Sequence, residues 1–594
     1  MIIEVIDDLE TFARLKGNWD AVYDADPEAQ FFLSWDWLSQ WIGHLNGPWF
    51  VLAAKANAAA SQYVAFFPLK LKTKERAAGV GFYDEISMVG NYAADYTGFI
   101  CSPEHQDNAI PAFAQHLKRM NWAQLRLEYL SASNRRVELF LRAFPGKNFV
   151  TREIAKINKT DNIDNCICPA VSLPNDWDAY LNERLSTNSR QKARRFLRQL
   201  DNSSELRITH ATTDTIERDL KILIEYWAAQ WGARKGNRLQ SIVNMNYSML
   251  RRCAERGLLF LPVLWKNDTP LGALASFIDP RKKSLLFYLG GRNESFNNPP
   301  PGFLLHAYSI RYAIGAGIVT YDFLRGNEAY KYSFGAAERR IKCLILSTKD
   351  DKNLGHKLDP RSVPLVFKRA MELHKSGKLT QAEQAYRQVL ATSPSDALAL
   401  YCYAQLLESK DAYAAASKAF RSLVKVQPHS VKARLGLARN LAMSGKHSDA
   451  AGVYREVVKR QPDFAAARCS LAGVLYKTNE LDEALDELRS ALKLTPENEK
   501  AQSLWCSAIA AAARRSPDKR GSYAAMGSSL ADAMKATGQA GFAIRCYRQA
   551  LDLQPELAAA QLGLQQALSV HPDAAGPERR ASALASAPAS SAAN

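Results

Sequence analysis

Several signatures are missing from this chain, and each absence narrows what it can be. No run reaches the ~18 consecutive apolar residues that a membrane span needs. The opening residues, MIIEVIDDLE, are acidic and lack the basic-then-apolar layout of a secretory leader, so the expected location is cytoplasmic. The nine cysteines are odd in number and never spaced CxxC, which points to reduced thiols and not to a disulfide framework. Cys166 and Cys168 have no His or further Cys close by in sequence, so no metal is expected. GxxxxGK[ST], HExxH and GxSxG are all absent. That removes the commonest signatures of nucleoside-triphosphate hydrolysis, zinc peptidases and serine hydrolases.

What is present is charge and length. Lysine and arginine total 77 against 60 acidic residues, a net +17. Such a balance favours anionic partners. No recognised nucleic-acid motif accompanies it, so nucleic acid is not the expected partner. At 594 residues the chain exceeds one core, and a multi-domain protein is expected.

Residues 1–155 read as mixed α/β. FFLSWDWLSQWIGHL carries its aromatic and aliphatic residues on one helical face, with Ser34 placed to cap it. WFVLAAKA and YVAFFPLKLK read as a hairpin. Residues 156–350 repeat the style. A basic helix runs through NSRQKARRFLRQL, where Arg190, Arg194 and Arg198 recur every four residues and share a stripe. LLFLPVLWKNDTPLGALASFID reads as a hairpin turning at KNDTP. Residues 351–362, DDKNLGHKLDPR, read as a linker.

From 363 to 569 the pattern changes. Pro394, Pro428, Pro462 and Pro496 recur every 34 residues, and so do Ala382, Ala416, Ala450 and Ala484. Tyr386, Phe420, Tyr454 and Leu488 keep the same period, as do the turn residues Gly377, Asp411, Gly445 and Asn479. This is the tetratricopeptide (TPR) pattern, a helix–turn–helix solenoid whose groove suits a protein or peptide partner. The period slips near Ser516–Gly521. The Ala/Ser/Pro-rich tail, 570–594, reads as disordered.

Candidate chemistry concentrates in residues 284–340. An apolar strand leads through a polar loop to PPPG, then a helical run, a second strand ending at Asp322, and EAYKYSFG. The first-turn N–H groups of Phe303, Leu304 and Leu305 point at any anion held at the helix start, and Gly302 permits close approach. Arg292 can add charge there. Asp322, at a strand end, is a candidate base or a partner that orients Arg325. Lys331 is a candidate anion contact. Asp95, with Tyr92 and Tyr96, is a candidate for the acceptor side, and Arg190 and Arg194 for an anionic substrate.

Taken in order, FFLSWDWLSQWI, FPLKL, GNYAADYTGFI, NSRQKARRFLRQL, the PPPG loop and helix, and YDFLRG followed by Tyr330-Lys331 resemble one family. It is the GNAT-type acetyltransferase domain of cellulose-biosynthesis-associated proteins, related to the Fem-type transferases, and the resemblance spans roughly residues 1–350. It implies an α/β (α+β) region of two GNAT-like halves in tandem, followed by the all-α solenoid. It implies acyl transfer from acetyl-CoA, or another acyl-CoA, to an amine or hydroxyl of a sugar or glycan precursor in polysaccharide or envelope biosynthesis. In such folds a tyrosine near EAYKYSFG protonates the leaving thiolate, which makes Tyr330 the first candidate and Tyr332 the second. The loop reads NNPPPG where the family has an Arg/Gln-x-x-Gly-x-Gly/Ala run. Two alternatives stay open: a Fem-like transfer from aminoacyl-tRNA, which would use the basic helix, and a non-catalytic scaffold on a degenerate transferase fold.

Overall fold

The computed structural model describes residues 1–45, 47–76, 81–90 and 93–571. Tyr92 and the tail from 572 onward lie outside the described residues. The chain divides into two compact units between Leu365 and Val366. No helix among the described residues is long and apolar enough to cross a membrane.

The first unit is built on two eight-stranded sheets. In the first, Trp49–Lys55 and Tyr63–Glu75 pair as an antiparallel hairpin whose central residues are buried on both faces. Phe82–Met88 and Gln124–Leu130 run parallel, and the helix Gln106–Leu117 makes the crossover between them. The second sheet repeats the device: Ser284–Arg292 and Thr320–Asp322 are parallel, joined by the helix Pro301–Gly315. The hairpin at KNDTP turns where expected, with Lys266 opposite Thr269. Ser34 caps Trp35–Ile42 by accepting from the Trp37 N–H at 3.3 Å, so the helix begins at Trp35 and Phe31–Leu33 forms a 3-10 turn.

Two features go beyond local pattern. Lys342–Thr348 leaves the second half of the sequence and inserts into the first sheet, between Gln124–Leu130 and Phe149–Glu153. Residues 351–362, a linker by composition, are fastened to that sheet. The fully buried Asp84 accepts from the Ser362 hydroxyl at 2.6 Å, the Asp359 N–H at 2.8 Å and the Asn353 side-chain amide at 3.0 Å. Aromatic packing joins the halves as well, with Phe31 and Trp37 lying 5.1 and 5.2 Å from Phe277 of the second sheet.

The second unit is a run of antiparallel helices. Its periodic alanines are fully buried, and Tyr386, Phe420, Tyr454 and Leu488 fill the space beside them. A Cβ on Gly436 would lie 2.4 Å from the Phe420 ring, so the helices meet there at a distance only glycine allows. Helices ending at Thr392, Val426, Arg460 and Leu494 each stop two residues before a periodic proline. Gly377, Asp411, Gly445 and Asn479 all have positive φ, between 55° and 81°, which reverses the chain after each first helix. The slip in period is a lengthened step: Glu499–Arg515 is followed by a turn and a new pair, Arg520–Ala536 with Ala540–Leu553. Gly445→Ala meets no atom within 4 Å but must hold φ near +81°. It should cost the solenoid about 1–2 kcal/mol, read from the helical transition in chemical denaturation. An unchanged midpoint would contradict this reading.

Candidate functional site

The site forms where the parallel pair of the second sheet parts. Only Ser284–Leu286 pair with Thr320–Asp322, while the longer strand continues to Arg292. Past Leu286 its backbone groups on that side pair with no strand among the described residues, so the two strands part there. The helix Pro301–Gly315 starts beside this point. Proline suits the first helical position because it has no N–H to leave unpaired. Leu304 donates its N–H to the Pro300 carbonyl at 3.1 Å, which leaves Gly302 and Phe303 as the unpaired first-turn donors. Arg292 lies over this turn, its Nη1 3.3 Å from where a Cβ on Gly302 would sit. The Phe303 ring stacks on Phe334 at 4.9 Å and forms part of the wall.

The structure therefore brings Arg292, Gly302 and Phe303 together. Leu304 differs from expectation, since its N–H is engaged and its side chain is buried in the core. An α-helix uses the fourth N–H for its own first bond, and that removes Leu304 as an anion donor.

Tyr330 sits in the short helix Ala329–Tyr332, its ring 5.6 Å from His306 and 6.4 Å from Phe323. Burial pushes its hydroxyl above the ordinary phenol range; the Glu328 carboxylate adds to this and Arg292 pulls it back. The residue is 42% exposed, which limits how far burial acts. The direction keeps the hydroxyl protonated at neutral pH. Tyr332 is already committed: its hydroxyl donates to Glu338 at 2.7 Å, and burial with that carboxylate pushes it up to about 12.

His306 was not among the sequence candidates. It lies one turn beyond Gly302 on the same helix and is 3% exposed. Phe287, Phe323, Phe334 and Tyr330 surround it at 4.5 to 5.6 Å, and its Nδ1 is 2.9 Å from the Tyr321 hydroxyl. Burial, and then the Lys331 ammonium, lower its pKa to about 3, so it is neutral at physiological pH. The available signal was a lone imidazole in the apolar run FLLHAYSI, spaced four residues from Gly302.

The acidic candidates exchange partners. Asp322 does not pair with Arg325. Its buried carboxylate accepts from the Tyr96 hydroxyl at 2.8 Å, Arg339 at 2.8 Å and the Leu324 N–H at 2.7 Å. This last bond holds Leu324 at φ +56°, a conformation a leucine rarely adopts. With three donors on it, Asp322 is placed as a brace and not as a free base. Arg325 pairs instead with Asp95 at 2.5 Å and stacks on the Tyr129 ring at 3.8 Å. Asp95 and Tyr96 come from the first half and thus reach second-half residues.

Lys331 also departs from expectation. It is 2% exposed, and its Nζ donates to the carbonyls of Arg325 and Gly326 at 2.8 and 2.9 Å and meets Glu328 at 2.9 Å. It ties the turn after the strand, which leaves no donor for an anion. Arg190 reaches Asn182 and Arg194 reaches Asp178, and among the described residues no contact joins either to Tyr330 or Arg292. Cys166 and Cys168 are buried thiols, and no cluster placed to hold a metal occurs among the described residues.

Comparison with known proteins bears on both units. The family model for the acetyltransferase (GNAT) domain matches residues 187–332, which contain Arg292, Gly302, His306 and Tyr330. The tetratricopeptide repeat model matches 367–430, 406–457 and 435–499. No curated protein matches. Among solved structures, the chain is similar to YrrB, described as a TPR protein with an unusual peptide-binding site (18% identity, 34% of this chain and 90% of that one, TM-score 0.25). It is also similar to MamA from Desulfovibrio magneticus (17% identity, 33% and 97%, TM-score 0.25). A Bacteroides thetaiotaomicron protein of unknown function aligns over 59% of this chain and all of its own, at 10% identity and TM-score 0.36. The chain carries a GNAT-type acetyltransferase domain within its mixed α/β unit, followed by a C-terminal run of tetratricopeptide repeats.

Proposed function

We propose that the first unit transfers an acyl group from an acyl-CoA thioester, acetyl-CoA in the simplest case, to an amine or hydroxyl of a sugar or glycan precursor. One observation carries the reading. Arg292, the free N–H groups of Gly302 and Phe303, and the protonated Tyr330 converge where the parallel strands part. The arginine and the helix start suit the donor's pyrophosphate. Backbone N–H groups of the strand beyond Leu286 suit the thioester oxygen as it gains charge. The acceptor's nitrogen or oxygen attacks the carbonyl carbon, the C–S bond breaks, and the thiolate takes the Tyr330 proton. The acceptor's own proton leaves to water, since Asp322 is occupied by three donors, and water returns a proton to Tyr330. The acceptor class rests on the family resemblance. The two sheets, each with one parallel pair and one crossover helix, favour the tandem reading of residues 1–155 and 156–350.

The repeats would recruit a protein partner. A cavity of about 280 Å³ lined by Leu398, Tyr401, Leu423 and Lys432 offers an apolar seat with a cation beside it. Lys432 lies 4.4 Å from the Tyr401 ring centroid.

Acetyl-CoA at ~100 times its Kd should raise the stability of the first unit by about 2.7 kcal/mol. No shift at millimolar CoA would reject the donor. Tyr330→Phe should keep donor binding and lower kcat about 10²-fold. An unchanged kcat would remove Tyr330 as the proton donor.

A further inference from the structure

We propose that the outward face of the basic helix Thr187–Asp201 is a second site, one that takes a phosphate ester group. It lies on the far side of this helix from the Phe196 ring that meets Phe303 of the donor site at 5.9 Å, and it does not depend on the acyltransfer reading. The face bears a shallow cavity of about 640 Å³ lined by Gln191, Arg194, Arg195, Arg198, Gln199 and Asn202. With Ser203 at its end the lining is cations, amides and one hydroxyl, and none of it is acidic. The helical period explains the arrangement. Gln191, Arg195 and Gln199 form one ridge and Arg194, Arg198 and Asn202 the next. Ala193, Phe196, Leu197 and Leu200 face the other way and are buried.

The protein balances only part of the charge on this face. Asp201, the acid of the same helix, is held by two bonds from Arg311, at 2.8 and 2.9 Å. Asp178 meets Arg194 at 3.4 Å, with the arginine side chain about half exposed and the aspartate largely in water. Among the described residues neither Arg195 nor Arg198 meets a carboxylate. Like charges three or four residues apart repel and weaken a helix. These arginines lie outside the core. A bound anion removes the repulsion. Arg195 is also partly oriented, its guanidinium stacked 4.4 Å from the Phe196 ring centroid. Guanidinium groups take phosphate oxygens in pairs, and the flanking amides add neutral donors.

The test uses the full chain at about 0.15 M salt, where diffuse charge is screened. One arm titrates glycerol 3-phosphate, a soluble phosphate ester that lacks the nucleotide of the acyl donor. The other measures co-sedimentation with phosphatidylcholine vesicles containing phosphatidylglycerol. Arg195→Gln/Arg198→Gln should bind at least tenfold more weakly in the arm that detects binding. Arg14→Gln/Lys16→Gln, which removes the same charge from another exposed surface, should bind like the wild type. Loss in the soluble arm assigns a free phosphate ester, loss in the vesicle arm assigns a lipid headgroup, and either upholds the site. The proposal fails if the wild type binds in neither arm. It also fails if the Arg195/Arg198 variant binds as tightly as the wild type, or if the control variant loses as much as the Arg195/Arg198 variant.

Discussion

Arg136→Met should destabilise the first unit by about 3–5 kcal/mol. Arg136 and Asp26 are 2% and 0% exposed and form a two-pronged pair, with both N–O distances at 2.9 Å. Asp26 also accepts the backbone N–H groups of Cys101 and Glu28, each at 2.9 Å, and so ties three segments of the first half together. Methionine fills much of the space but cannot neutralise the carboxylate left behind. The cost is that of a buried, uncompensated charge, and not the net worth of the pair. Asp26→Asn/Arg136→Met should therefore be less damaging than Arg136→Met alone. Every tryptophan except Trp505 precedes Leu365, so tryptophan fluorescence during urea denaturation reports mainly this unit. A loss under about 1 kcal/mol, or a double variant worse than the single one, would refute the charge argument.

Acid should weaken the same unit through His306. Its folded pKa lies near 3, against about 6.5 for an unperturbed histidine. Above pH 6.5 the imidazole is neutral in both states, and its full contribution is present. As pH falls below 6.5 the unfolded chain takes a proton that the folded chain refuses, so stability falls until the pH nears 3. The whole interval corresponds to at most roughly 5 kcal/mol, with roughly 3 kcal/mol lost by pH 4. His306→Gln removes this titration. The variant should be less stable at pH 7.5, because it loses contact with Phe287 and the surrounding rings. The gap should close as pH drops, since carboxylates titrate alike in both proteins and cancel. Parallel stability profiles from pH 7.5 to pH 4 would show that His306 takes its proton without penalty.

Much of the architecture was legible because it rests on local periodicity. A 34-residue recurrence at several independent positions identified the solenoid, and the positive φ of Gly377, Asp411, Gly445 and Asn479 explains why those turn positions recur. The Ser34 cap and the turn at KNDTP depend on neighbours within a few residues, and both appear where expected. The crossover from Ser284–Arg292 through the proline-led helix to Thr320–Asp322 was readable for the same reason.

The site was only partly legible. Gly302, Phe303 and Arg292 converge because a strand end and the helix that follows it are neighbours in sequence as well as in space. The partners of Asp322, Arg325 and Lys331 were not legible because adjacency in sequence does not choose an ion-pair partner. Arg339 and Tyr96 reach Asp322 from other strands, and Asp95 reaches Arg325 from the other half of the unit. Lys331 turns inward to two carbonyls that exist only once the turn at Gly326 has formed.

By itself the sequence determined the periods, the caps, the repeat length and the short segments that bear chemistry, since these are properties of a chain against its near neighbours. Tertiary structure decided the rest. It returned Lys342–Thr348 to the first sheet and docked 351–362 on Asp84. It enclosed His306 among rings drawn from separate elements and set which charges are buried as pairs and which stay at the surface. The physical reason is common to all of these. Burial penalises an unpaired charge or polar group wherever it lies, and the partner that relieves it is selected by distance in space, which the linear order of residues does not contain.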